Sequence, residues 1–223
     1  MAPPKITLYV DIVSPFAYMG YYMLRNSPIF KSVEITYVPI LLGGLMKACG
    51  NRAPLEIRNK DKWINVERLR WARQFGIPMS LNSPAGFPRP TLHLQRFLTG
   101  LNMSHPELLP TALDALYAAL WTEPNESALP DPKVFAQVLG KMLPEEVVRE
   151  GIEKMGSEIV KKELLARSNE AFEVGAFGLP WFQCTDTKGR TEGFWGFDHL
   201  GQVVRFLGLD GTLDPKGELR AVL

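Results

Sequence analysis

Residues 9–24 read YVDIVSPFAYMGYYML, a strand-like stretch that passes through Ser14 and Pro15 into an apolar pattern typical of a helix. Serine is a preferred helix N-cap because its hydroxyl accepts a free backbone N–H, and proline at the first helical position loses no hydrogen bond. A helix start also suits an anion, because free N–H groups and the positive end of the helix dipole converge there. These residues alone favour capping and leave an anion site as the alternative.

The composition is that of a globular protein without a charge excess. The chain has 223 residues, of which 46% are hydrophobic, and 25 Lys and Arg against 24 Asp and Glu give a formal net charge of +1. We expect no nucleic-acid partner, because phosphate-backbone binding usually needs a basic surface. No apolar run is long enough to span a bilayer and no signal peptide is visible. We therefore expect a soluble intracellular protein without a membrane partner, located in the cytoplasm, with mitochondria and peroxisomes as the alternatives.

The sequence gives no sign of a metal or disulfide framework. Cys49 and Cys184 lie in unrelated contexts without a CxxC motif, and we expect both to be free thiols. His93, His105 and His199 are scattered without metal-ligand spacing. We expect no metal site.

The two ends of the chain have strand patterns. The start reads as a strand at 5–13, a helix from Pro15 to about Asn26 and a second strand at 33–42, which indicates a parallel β-α-β unit. Near the end, 179–186 and 190–196 flank a Lys188-Gly189 turn signal and predict an antiparallel hairpin. Asp198 then begins a last amphipathic helix that is closed by a glycine.

The middle of the chain has helical patterns instead. Between about 55 and 174, apolar residues recur at three- and four-residue spacing in five stretches: DKWINVERLRWARQF, PTALDALYAALWTE, PKVFAQVLGKML, PEEVVREGIEKM and SEIVKKELLARSNEAFEVG. We expect an α/β protein in which residues 1–54 and 175–223 form one discontinuous sheet domain and residues 55–174 form an all-helical insertion.

That order of elements resembles the thioredoxin-like fold of the DsbA type. Ser14-Pro15-Phe16-Ala17 then occupies the place where a redox member carries CxxC. A serine there removes dithiol exchange, because only a thiolate can attack a disulfide in this way.

A more specific resemblance spans nearly the whole chain. Five stretches in the right order are similar to the superfamily of kappa-class glutathione transferases and 2-hydroxychromene-2-carboxylate isomerases: DIVSPFAYMG, GGLMKACGNRAP, NKDKW, FGLPWF and FWGFDHL. The resemblance implies that glutathione is the co-substrate or cofactor and that Ser14 is the catalytic serine. Its hydroxyl would donate a hydrogen bond to the glutathione thiolate, because serine is too weak a base to remove the thiol proton unaided.

The resemblance also implies the residues that bind glutathione. Asn51 would contact peptide groups of glutathione, and Lys62 would pair with its glycine carboxylate. Pro180 would follow a cis peptide bond that exposes the backbone of Leu179 to the cysteinyl part of the ligand. Without the resemblance, Asn51 reads as a turn residue, Lys62 as a solvated charge and Pro180 as a trans proline at an edge strand.

The stretch around Asp198 bears on the choice of reaction. The resemblance assigns Asp198 to the γ-glutamyl ammonium group, and the simpler interpretation is a helix N-cap. Phe197, also placed in the glutathione site, stands where the kappa pattern has a serine, so one hydroxyl contact is lost. The sequence FWG at 194–196 is more similar to the isomerase branch.

Four aromatic residues lie near the expected site in sequence. As a group, Phe16, Tyr18, Trp63 and Trp181 are candidates for an apolar electrophile pocket, although core packing is the default for any one of them.

Three functions follow from these residues. The first is a glutathione transferase that adds the thiolate to small hydrophobic electrophiles, and the second is a glutathione-dependent isomerase that does not consume glutathione. The third is a non-catalytic glutathione-binding module. We favour the transferase, and the resemblance further predicts a homodimer.

Overall fold

The sheet is built from both ends of the chain. In the computed structural model, which describes residues 2–214 and Leu219, four strands pair in the order β2-β1-β3-β4. Strands β1 and β2 are parallel, and the pairs β1-β3 and β3-β4 are antiparallel. The strands span Lys5–Val10 (β1), Glu34–Pro39 (β2), Trp181–Thr185 (β3) and Thr191–Trp195 (β4). The predicted β-α-β unit and hairpin are both observed, and the outer limits expected for the sheet domain, residues 1 and 223, lie outside the described residues.

The helices include all those predicted from the sequence and two more. Helix α1 joins β1 to β2, α2 to α8 connect β2 to β3, and α9 follows β4. They span Pro15–Asn26 (α1), Leu42–Ala48 (α2), Lys60–Phe75 (α3), Leu92–Ser104 (α4), Leu109–Trp121 (α5), Pro132–Leu139 (α6), Glu145–Lys154 (α7), Glu158–Glu173 (α8) and Leu200–Leu207 (α9). Within the described ranges, no helix has the length and apolarity that crossing a bilayer requires.

Helices α2 and α4 correct the expectations from sequence. The second strand ends at Pro39 rather than at residue 42, because the N–H of Leu42 donates to a buried carboxylate and begins α2. Helix α4 was hidden because its buried face carries polar residues, Gln95 and Thr99, which interrupt the apolar period.

The end of the chain differs from the expected capping. Residues Phe197–His199 form a 3-10 turn before α9, and His199 is the N-cap of α9 without a side-chain hydrogen bond. Asp198 lies inside the turn and does not cap the helix, because the backbone reaches α9 only after that turn. Gly208 ends α9 at a φ of 66°, as predicted from the closing glycine.

Helix α1 packs between the sheet and the helical segment. The ring of Tyr117 in α5 contacts Tyr18 and Tyr21 of α1, each with ring centroids 5.3 Å apart. Trp121, also in α5, is fully buried and donates from Nε1 to the carbonyl of Ile12 at 2.9 Å. Burial of such side chains contributes about 1.5 to 3 kcal/mol each, so α5 helps to fix the start of α1.

Candidate active site

Ser14 caps helix α1, as the sequence predicts. Its backbone is extended (φ −91°, ψ 114°), Pro15 is the first helical residue, and the Oγ atom accepts the N–H of Ala17 at 3.1 Å. The residue is only 6% exposed. Among the described residues, the hydroxyl donates to no protein acceptor, so its proton is available to a ligand at the helix start.

A buried carboxylate lies three residues before Ser14. Asp11 has no solvent exposure and carries no paired cation among the described residues. Its carboxylate accepts four hydrogen bonds: from Val13 N at 3.2 Å, Leu42 N at 2.9 Å, Thr91 Oγ1 at 2.8 Å and Gln95 Nε2 at 2.9 Å. Burial raises the pKa of Asp11, and these hydrogen bonds oppose the rise. Asp11 thus joins the β1–α1 turn to α2 and to the start of α4.

The backbone of the same turn is also held. Ser14 N donates to the carbonyl of Asp11 at 3.1 Å, and Ile40 N donates to the carbonyl of Val10 at 2.9 Å.

Sequence reasoning missed Asp11, although an acidic residue inside a buried-looking run is itself a signal, because a buried charge needs partners.

The loop before β3 lies against helix α1. The peptide bond between Leu179 and Pro180 is cis, as the resemblance predicts. A Cβ atom on Gly20 would lie 3.3 Å from the Cβ of Pro180 and 2.9 Å from the ring of Phe182, so the glycine permits this close approach. Leu179 packs in one buried cluster with Ala17 of the first turn of α1.

The backbone of Leu179 is unused. Within the described part of the chain, neither its N–H nor its carbonyl has a hydrogen-bond partner, although the residue is buried. Buried backbone groups are nearly always paired, so this edge of the loop can receive an extended peptide.

Asn51 reaches the same loop from the end of α2. Its Nδ2 atom donates to the carbonyl of Phe177 at 2.9 Å, and its Oδ1 atom accepts the N–H of Arg52 at 2.8 Å. The side chain is exposed. Asn51 therefore supports the segment that leads to Leu179 as well as facing solvent.

The remaining glutathione candidates are more scattered. Lys62 is exposed in the first turn of α3, with no hydrogen bond or ion pair in the described structure. Asp198 is exposed, and its Oδ1 atom lies 3.4 Å from Nδ1 of His199. The ring of Phe197 is buried against Trp71 and Phe75, so only its backbone can face a ligand.

The four aromatic candidates do not form one aromatic cluster among the described residues. Tyr18 is buried and donates from its hydroxyl to the carbonyl of Pro78 at 2.9 Å, and Phe16 packs against the same core cluster. Trp181 belongs to the other buried cluster, and Trp63 is 51% exposed on α3. Among the described residues, no contact between aromatic rings joins Tyr18 to Trp181 or Trp63 to either of them.

A different aromatic pair borders the cis-proline loop. The rings of Phe177 and Trp195 lie 4.8 Å apart, and the residues are 39% and 44% exposed. Gly178 makes the contact possible, because a Cβ atom there would lie 2.8 Å from Nε1 of Trp195. No periodic pattern in the sequence predicts this pair, since one ring comes from the loop and the other from the end of β4.

Both cysteines are free thiols. Cys49 is partly buried, and burial raises the pKa of Cys184 to about 12. The described residues contain no group of three or more His, Cys, Asp or Glu side chains that could hold a metal ion.

The architecture matches a known family. The family model of the DSBA-like thioredoxin domain matches residues 5–208. The chain belongs to this family. Its membership confirms the fold class expected from the sequence, a thioredoxin-like sheet with a helical insertion. In this DSBA-like chain, Ser14 stands at the start of α1, and Ala17 in the same turn packs with Leu179 of the cis-proline loop.

Relatives found by sequence comparison agree with the resemblance to kappa-class glutathione transferases and 2-hydroxychromene-2-carboxylate isomerases. The chain is 26% identical over 212 residues to glutathione S-transferase kappa 1 of Rattus norvegicus, covering 93% of this chain and 92% of that protein. It is 25% identical over 207 residues to 2-hydroxychromene-2-carboxylate isomerase of Pseudomonas putida, covering 91% and 94%. A solved structure of a 2-hydroxychromene-2-carboxylate isomerase shares the fold, with a TM-score of 0.72, 22% identity and coverage of 92% and 94%. These relatives bear the names of enzymes.

Proposed function

We propose that this protein is a glutathione transferase of the kappa type. The observation that carries the proposal is that the first turn of α1, where the Ser14 hydroxyl keeps a free proton, packs through Ala17 in one buried cluster with Leu179, whose backbone is unpaired among the described residues. The backbone of Leu179 would bind the cysteinyl residue of glutathione as an added strand, which directs the sulfur toward the helix start.

The chemistry follows from that placement. The positive end of the α1 dipole and the Ser14 hydroxyl favour the thiolate, so the thiol proton is released to water near neutral pH. The sulfur lone pair then forms a C–S bond with a small hydrophobic electrophile, and any leaving group departs with its electrons. The exposed pair Phe177 and Trp195 offers this electrophile more apolar surface than the buried Tyr18 and Trp181 do.

A glutathione-dependent isomerase is the second candidate. The FWG stretch at 194–196 and the similarity to the isomerase of Pseudomonas putida favour it. In that reaction the thiolate adds to the substrate, a carbon–carbon bond rotates, and the thiolate leaves again. The proposed site serves both reactions, and only the transferase consumes glutathione.

An ultraviolet titration of the thiolate tests the proposal. For the complex with glutathione, we expect a thiol pKa at least about one unit below that of free glutathione. Glutathione consumption with an electrophilic aromatic halide then separates transferase from isomerase. A complex in which glutathione binds with an unchanged thiol pKa would leave the protein as a non-catalytic binding module.

Lys62 provides a test of the ligand's other end. Lys62→Ala should raise the Kd for glutathione about two- to fivefold, because an exposed ion pair with the glycine carboxylate contributes only about 0.5 to 1 kcal/mol. Isothermal titration measures the change. Lys60→Ala removes an equally exposed charge from the same helical turn and should leave the Kd within error. Equal effects of both substitutions would argue against a specific contact of Lys62.

The expected homodimer stays a prediction. Light scattering at working concentration measures it, and a solution containing only single chains would contradict it.

A further inference from the structure

A cavity of about 230 Å³ lies between α2, α4 and α8. Apolar side chains form much of its wall, with Leu92 and the exposed Leu165 at its surface, and Arg96, Lys161 and Asn169 supply polar groups. Its lining includes neither Ser14 nor Leu179. The cavity is therefore separate from the proposed glutathione site.

Arg96 is the unusual member of this wall. Its Nε atom is excluded from solvent and has no hydrogen-bond partner, and no carboxylate lies within ion-pair distance of the guanidinium among the described residues. Nε is closed off from the cavity, but Nη1 and Nη2 keep accessible surface and bind no described residue, and a guanidinium binds a carboxylate through two parallel hydrogen bonds. The group is thus placed to receive an anion.

The other charges nearby leave that role to Arg96. Lys161 already binds Glu158 at 2.8 Å, so this lysine adds little net charge. Glu158 acts on Arg96 only through space, without an ion pair. No acidic residue lines the cavity. A single anionic group on Arg96, with an apolar remainder against the leucines, matches this distribution.

We propose that the cavity binds a small amphipathic monocarboxylate, with its carboxylate on Arg96 and its apolar part against Leu92 and Leu165. The volume exceeds the roughly 150 Å³ of an apolar cavity that holds benzene, and it is below the roughly 300 Å³ at which drug-sized pockets begin. A straight-chain or aromatic acid of about eight carbons fits this range. The proposal does not depend on the glutathione chemistry.

The cavity adjoins the elements that hold the β1–α1 turn. Arg96 follows Gln95 in α4, and Leu41 in the cavity wall precedes Leu42. Gln95 and Leu42 each donate to the Asp11 carboxylate. A ligand in the cavity therefore contacts the same two helices that support the start of α1.

Titration of the full chain with octanoate tests the proposal, with octanol as the uncharged probe of similar length. We expect saturable octanoate binding with a Kd below about 10 mM and octanol binding at least about tenfold weaker. Arg96→Met keeps much of the apolar side chain and should weaken octanoate binding about tenfold or more. Arg73→Met removes an exposed charge from α3 and should leave the Kd unchanged.

Three results would overturn the proposal: no saturable binding of octanoate, equal binding of octanol, or an unchanged Kd in Arg96→Met. Saturating glutathione supplies a measurement that needs no variant. Octanoate should bind with the same stoichiometry in its presence, whereas displacement by glutathione would place octanoate in the Ser14 site and contradict a separate cavity.

Discussion

Replacement of Ser14 by alanine is expected to raise the pKa of the bound glutathione thiol by about one to two units. The hydroxyl accepts the Ala17 N–H through its oxygen and keeps its proton for the ligand. Loss of one charge-assisted hydrogen bond is worth roughly 1.5 to 3 kcal/mol, which gives that shift. Conjugation at neutral pH should fall about tenfold or more and recover partly at higher pH, when chemistry limits turnover.

The loss of a helix cap has to be separated from the loss of chemistry. Ser14→Ala also removes an N-cap, which costs about 0.5 to 2 kcal/mol of stability. Ser157 caps α8 with the same kind of bond, to Val160 N at 3.4 Å, and Ser157→Ala is the matched control. If the two variants differ only slightly in melting temperature and neither alters the thiol titration, Ser14 is a cap and nothing more.

Asp11→Ala should have the largest effect on stability. Removal of the carboxylate leaves four donors without an acceptor: the side chains of Thr91 and Gln95, which are buried, and two half-buried backbone N–H groups. Each buried unsatisfied group costs about 1 to 3 kcal/mol, and relief of the buried charge offsets part of this. We expect a loss of about 3 kcal/mol or more in the free energy of unfolding, measured by urea denaturation.

A half-exposed carboxylate gives the comparison for Asp11. Asp114 accepts the Tyr21 hydroxyl at 2.6 Å and pairs with Arg25 at 3.1 Å, and water can replace it. Asp114→Ala should therefore lower the free energy of unfolding by only about 1 kcal/mol. A smaller loss for Asp11→Ala than for Asp114→Ala would contradict the role given to the Asp11 contacts.

The raised pKa of Asp11 also gives a pH dependence with a definite sign. The folded state keeps the Asp11 proton to a higher pH than the unfolded state does, so the unfolded state binds fewer protons between the two pKa values. Stability from this group is therefore full below about pH 4 and is lost as pH rises through the folded pKa. Asp11→Asn does not titrate at this position, so over that interval the free energy of unfolding of the native chain should fall relative to that of Asp11→Asn. A rise of the native chain relative to Asp11→Asn as pH increases would contradict this prediction.

The sequence predicts those parts of the structure that depend on local pattern. The SP dipeptide after a buried strand located the start of α1, and the turn signal at Lys188-Gly189 located the hairpin. Helix α4 was missed because tertiary contacts make its polar residues buried. Asp11 was missed for a related reason, since its partner Thr91 lies 80 residues away. Such contacts leave no periodic trace in the sequence.

The hydrogen bonds of the β1–α1 turn bear on whether the helical segment can be removed. A chain trimmed to its sheet-forming ends would lack Thr91, Gln95 and Trp121, three of the donors that reach Asp11 and Ile12. The acceptors of the turn that presents Ser14 would then lack these donors, and the turn would lose the side chains that pack beneath it. A shortened variant for engineering should therefore retain α4 and α5, because these two helices hold the β1–α1 turn in place.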